Sequence, residues 1–139
     1  MEHKPYVLQF KVRDYECDMA HVVNNSVYMN YLEHCRHEYL KTVGIDFSKL
    51  VKNKISLIIT RAEVDYKWSL VSGDEFEVSA KIERVSKLRF AFNQKIHRLP
   101  DRKLVLEAKI IGTAIDSLGR PHMPEELDKI SNQVTATTA

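Results

Sequence analysis

The sequence predicts an α+β domain in which one long central helix is wrapped by an antiparallel β-sheet of at least five strands. Three observations lead there. A single helical periodicity occupies residues 27–43, strand patterns lie on both sides of it, and the clearest of those strands alternates strictly between apolar and polar residues. That alternation marks an antiparallel strand with one wet face. A chain of 139 residues has the size of one domain with one core.

Residues 5–13 alternate weakly through Val7, Phe10 and Val12 and run into the polar stretch Arg13-Asp14-Tyr15-Glu16-Cys17-Asp18, which reads as a strand entering a loop. The period then changes. Val27, Tyr28, Tyr31, Leu32, Cys35, Tyr39, Leu40 and Val43 fall on one face of an amphipathic helix. Asn24 or Asn25 can cap its start and Gly44 can end it. Its length is about 30 Å at the standard rise. Everything beyond reads as strand. Ile55 to Tyr66 is rich in Ile and Val and ends in a turn around Ser72-Gly73-Asp74. Phe76, Val78, Ala80 and Ile82 alternate with Glu75, Glu77, Ser79 and Lys81. Phe90, Phe92, Gln94 and Ile96 repeat the pattern before the turn at Leu99-Pro100-Asp101. Leu104 to Ile115 is apolar at both parities, as a strand covered on both faces would be. Residues 1–124 form the expected domain. Residues 125–139 lose the apolar pattern, which predicts a partly disordered tail. A strand, a loop, one long helix and then four strands fit the hotdog architecture, and other helix-on-sheet folds share that order.

Composition narrows the function. Hydrophobic residues make up 44% and charged residues 29%, and 21 Lys and Arg stand against 19 Asp and Glu. A net charge of +2 lacks the basic footprint of a nucleic-acid binder. No apolar run has the length of a signal segment or a membrane span, so a cytoplasmic location is expected. Cys17 and Cys35 are too few for a disulfide framework and lack zinc spacing. No metal and no cofactor is expected.

The run from Val12 to Tyr28, with Asp18, His21, Asn24 and Asn25 inside it, resembles the signature of the 4-hydroxybenzoyl-CoA thioesterase-like family. Tyr31-Leu32-Glu33, Arg36, Glu38 and Gly44 continue it without a gap. Trp68 to Asp74 is similar to the family's turn between strands, and Ile115 to Pro124 to its closing segment. The opening Arg13-Asp14-Tyr15-Glu16 and the pair Asn24-Asn25 look like the plastid-type branch. The resemblance implies a hotdog fold, a homodimer or homotetramer, and hydrolysis of acyl-CoA or aryl-CoA without a metal. It aligns the catalytic carboxylate with Asp18 and the helix amide that polarises the thioester carbonyl with Asn25. Relatives commonly carry Gly where this chain has His21. That side chain could narrow the pocket or join the chemistry.

The chemistry asks for little more. Asp18 can attack a thioester carbonyl or activate water, and a helix beginning near Asn24 offers unpaired N–H groups where the oxyanion develops. A turn or capping role is the plain alternative for Asp18. Asp14 and Glu16 read as solvated neighbours. Tyr28 could be core or line an acyl pocket. Arg84, Lys87 and Arg89 are candidates for the CoA phosphates, because the family places basic residues in this segment; exposed strand-end charges are the alternative. His34, His37 and Glu38 share a helix face but read as solvated beside Arg36 and Lys41, and Cys35 as a small core residue. Two rival functions remain: a hotdog 3-hydroxyacyl-thioester dehydratase using His21 with a helix carboxylate, and a non-catalytic acyl-CoA-binding module.

Overall fold

The computed structural model describes residues 4–125 together with Leu127 and Asp128. Strand β1 (Tyr6–Lys11) leads through a 3₁₀ turn (Asp14–Glu16) and a loop into helix α1 (Asn25–Thr42). A short helix α2 (Phe47–Lys52) precedes β2 (Ser56–Tyr66), β3 (Glu75–Ser86), β4 (Arg89–Leu99) and β5 (Leu104–Ile115). The five strands form one antiparallel sheet in the order β1-β3-β4-β5-β2. This is the expected wrapped sheet.

The Asn24 side chain accepts from the Ser26 N–H at 2.9 Å and so caps α1. Gly44, at φ +87°, takes the left-handed conformation just past the helix end, which a side chain would disfavour. Tyr28, Tyr31, Leu32, Cys35, Tyr39 and Leu40 are buried, as the spacing predicts. They pack on the inward parity of β3 and β4, where Phe76, Val78, Ala80, Ile82, Phe90, Phe92 and Ile96 are also buried. Helix α1 therefore covers the β1, β3 and β4 side of the sheet.

The opposite side is less covered. Leu57, Ile59, Ala62, Val64 and Tyr66 of β2 stand opposite the inward residues Ala114, Gly112, Ile110, Ala108 and Leu106 of β5. They share that inward face, yet Ile59 is 47% and Tyr66 50% exposed. Among the described residues, one edge of β2 has no strand beside it.

Two expectations need amending. Not everything beyond α1 is strand, since Phe47–Lys52 is helical, capped by the Asp46 side chain on the Lys49 N–H at 3.2 Å. The outer parity of β5 is only partly covered, since Glu107, Lys109 and Ile111 are half-buried while Val105 and Thr113 are buried. After Pro124, Leu127 is buried in the core and Asp128 pairs with Arg84; most of the tail expected to be partly disordered lies outside the described residues. No helix among the described residues is long and apolar enough to cross a membrane.

Candidate active site

The loop between β1 and α1 is folded back on itself. Cys17 and Val23 form a bridge, the Asp18 N–H donates to Val22 O at 2.9 Å, and the Asn24 N–H donates to Glu16 O at 3.0 Å. The Val23 N–H in turn reaches Leu70 O at 2.9 Å, and the Asp14 carboxylate accepts from the Ser72 hydroxyl. The turn after β2 thus clamps the loop against the helix start. Asp18, His21, Asn24 and Asn25 all lie on this folded loop and the helix start it joins.

Asp18 is exposed. Its Oδ1 accepts from the Ala20 N–H at 2.8 Å, an Asx turn, while Oδ2 has no partner among the described residues. The turn role and a chemical role are therefore both available to one carboxylate. His21 is exposed and holds φ +65°, the left-handed region, which Gly adopts at less cost than a residue with a side chain.

The start of α1 presents one usable donor. The Ser26 N–H is taken by the Asn24 side chain, and the Val27 and Tyr28 N–H groups reach Asn24 O at 2.9 and 3.4 Å. The Asn25 N–H has no acceptor among the described residues. It stands at the positive end of an 18-residue helix, where an anion is favoured.

Tyr28 is in the core, its hydroxyl accepting from the Leu70 N–H at 3.0 Å and its ring meeting Tyr66 edge-on at 5.7 Å. Tyr66 itself, half-exposed, reaches Asn25 O at 3.5 Å. Sequence reasoning passed over Tyr66, whose inward parity on β2 was the available signal. Glu16 was read as solvated but anchors the loop: it accepts from the Arg13 N–H at 2.8 Å and the Tyr31 hydroxyl at 2.9 Å. Burial and this acidic neighbour raise the Tyr31 pKa, so the phenol stays protonated. Cys35 is buried against Val78 O at 3.5 Å, and burial pushes its thiol up to about 12. His34 and His37 are exposed and edge against Phe10 and Phe47, each at 5.9 Å.

The basic candidates lie elsewhere within one subunit. β3 runs from Glu75, beside the loop, to Ser86 at the hairpin, a span of roughly 36 Å. Arg84 is committed there, bonding Ser86 O and Lys87 O and pairing with Asp128. Lys87 and Arg89 are exposed on the same hairpin.

Residues 12–130 match the thioesterase-like superfamily. The chain belongs to that superfamily. Over 114 residues it is 40% identical to a chloroplastic acyl-acyl carrier protein thioesterase of Arabidopsis thaliana, covering 82% of this chain and 60% of that protein. This thioesterase-like chain thus spans about 60% of the length of the plant relatives it matches. It is 32% identical over 89 residues to a putative esterase of Aquifex aeolicus, covering 64% of this chain and 70% of that one. Among solved structures, a 1,4-dihydroxy-2-naphthoyl-CoA thioesterase from Synechocystis superposes with a TM-score of 0.86 at 16% identity, over 95% of this chain and 98% of that one. A Staphylococcus aureus protein solved in complex with CoA superposes with a TM-score of 0.88 at 14% identity, over 99% and 87%. At those identities the likeness establishes the hotdog fold of this superfamily member.

Proposed function

We propose that this chain hydrolyses an acyl- or aryl-CoA thioester to the free acid and CoA. The observation that carries the reading is that one loop-to-helix segment holds both a helix-start amide, Asn25 N–H, and a carboxylate oxygen, Asp18 Oδ2, that have no partner among the described residues. The substrate carbonyl oxygen would point at the Asn25 N–H. Asp18 then attacks the carbonyl carbon directly or takes a proton from a water that attacks it. The negative charge moves to the carbonyl oxygen, where the amide and the helix dipole hold it. Collapse of this intermediate breaks the C–S bond, and the sulfur leaves as thiolate and takes up a proton. If Asp18 is the nucleophile, water next cleaves the mixed anhydride. Tyr66, beside Asn25, and the uncovered inward face of β2 offer the apolar wall for the acyl group.

The edge of the same strand supports a homodimer. A strand edge with no neighbour among the described residues is a liability that a second copy removes. Antiparallel pairing of β2 with its own copy places the partner's β3–β4 hairpin at the end of the sheet where Asp18 lies. The partner subunit's Lys87 and the partner subunit's Arg89 would then meet the CoA phosphates. Asn24 supports the site by capping, and His21 flanks its mouth.

The testing experiment is thiol release across short, long and aromatic acyl-CoA esters, with acyl carrier protein thioesters beside them, since relatives are named for both carriers. Turnover well above buffer on at least one CoA ester is expected. Release no faster than buffer on all of them would leave a binding module, and dehydration of a 3-hydroxyacyl ester without thiol release would favour the His21 dehydratase.

A further inference from the structure

A cavity beside the second half of α1 has in its wall a buried cation that forms no ion pair among the described residues. Arg36 is 7% exposed, donates to Gln94 Oε1 at 3.1 Å, and lies 6.0 Å from the Phe92 ring centroid. Gln94, 1% exposed, is itself fixed by donating to Leu32 O at 3.1 Å. Among the described residues no carboxylate forms an ion pair with Arg36. Burial opposes its charge, and the negative charge of Glu33 favours it. A guanidinium carries five donors in a fixed fork, and a buried charge left unpaired is costly.

The cavity, about 450 Å³, is otherwise apolar in its main walls, with Leu40, Phe47, Leu57, Ile59 and Phe92 around Arg36. Its polar rim adds only Glu33, His37 and Ser56. Its β2 wall runs on toward the candidate site. Leu57 and Ile59 at the cavity and Tyr66 at Asn25 are on one face of one strand, so β2 makes a floor from the helix start to the cavity. The rise from Asn25 to Arg36 is about 16 Å, and the arginine side chain leans back toward the helix start. An extended chain of roughly ten carbons, with C–C bonds of about 1.5 Å, closes what remains.

We propose that Arg36 is a specificity-determining residue that seats the distal carboxylate of an ω-carboxyacyl thioester whose chain lies along β2. The proposal rests on the hydrolase reading above. A carboxylate matches the fork in shape and charge, and the apolar walls match the chain behind it.

The test compares kcat/KM of the full chain on decanoyl-CoA and on its ω-carboxy counterpart. The wild type should prefer the ω-carboxy ester at least about tenfold, mainly through KM, as one charge-assisted pair allows. In Arg36→Met that ratio should fall to unity or below. If Arg36→Met does not fold, Arg36→Lys keeps the charge, loses the fork, and should narrow the ratio without erasing it. No preference in the wild type, or a preference unchanged in either variant, overturns the proposal. A binding readout separates it from the hydrolase reading. Decanoate should raise the melting temperature of the wild type more than 1-decanol does, and Arg36→Lys should shrink the difference. If neither ester is cleaved but that difference holds, the hydrolase reading fails and the anion seat stands. Equal effects of acid and alcohol would mean that Arg36 takes no ligand carboxylate, as when a partner subunit's carboxylate already fills the fork.

Discussion

At the scale of single residues, the candidate site is a matter of which groups remain unused. The folded loop uses the amides of Asp18, His21, Val23 and Asn24, while Asn25 N–H and Asp18 Oδ2 have no partner among the described residues. Sequence made Asp18 and Asn25 visible because a carboxylate just before a long helix is a recognisable arrangement. It could not show the Asx turn at Asp18 or the anchoring by Glu16, since both depend on how the loop closes. His21 pays a backbone cost at φ +65°, about 1–2 kcal/mol for a side chain there. His21→Gly should therefore raise stability slightly, by roughly 0.5 kcal/mol after the added flexibility of glycine in the unfolded chain, read as a higher denaturant midpoint. A clear fall would mean that the imidazole makes a stabilising contact. Cys35 gives a pH-dependent case. Its thiol is raised from 9.0 to about 12 by burial, so its burial costs nothing below about pH 9, and stability is lost as pH rises from there through the folded value. At pH 8, iodoacetamide should therefore modify Cys35 only after unfolding, whereas rapid labelling of native Cys35 would contradict its burial.

At the scale of elements, α1, β3 and β4 were legible because each repeats one periodicity over many residues. α2 was not, because six residues are too few to display a helical period. The burial of Arg36 was hidden for a different reason. It shares a helix face with Leu32 and Leu40, yet an arginine stem can lie on apolar surface with its head in water. The polar interruption in β4, Gln94 among Phe90, Phe92 and Ile96, was the one sign of a buried polar pair. β2 is held closely against β5: a Cβ built at Gly112 would lie 2.6 Å from Ile58 O and 3.1 Å from the Phe90 ring. The β2 bulge between Ile59 and Arg61 lies beside this contact. Gly112→Ala should cost about 1–3 kcal/mol by overpacking and lower the thermal midpoint. An unchanged midpoint would mean that β2 moves aside at no cost.

At the scale of the whole molecule, the hotdog class followed from element order together with the resemblance. The order alone also suits other helix-on-sheet folds. The separation of Asp18 from the β3–β4 hairpin was not legible, since spacing along the chain carries no information about which end of a strand a turn reaches. That separation is what makes the proposed dimer functional rather than incidental. Sedimentation should show a species of at least twice 16.2 kDa. The double variant Lys87→Ala, Arg89→Ala should raise KM for CoA esters with kcat nearly intact, less so at high salt; unchanged KM at low salt would place the nucleotide elsewhere. The central claim is the role of Asp18 in this assembled site, and Asp18→Asn isolates it, because Asn keeps the size and can keep the Asx turn. Thiol release should be measured on wild type and Asp18→Asn at matched oligomeric state and melting temperature. The account predicts a fall in kcat of at least roughly a hundredfold. Near wild-type turnover in Asp18→Asn, with turnover abolished in His21→Ala, would contradict it.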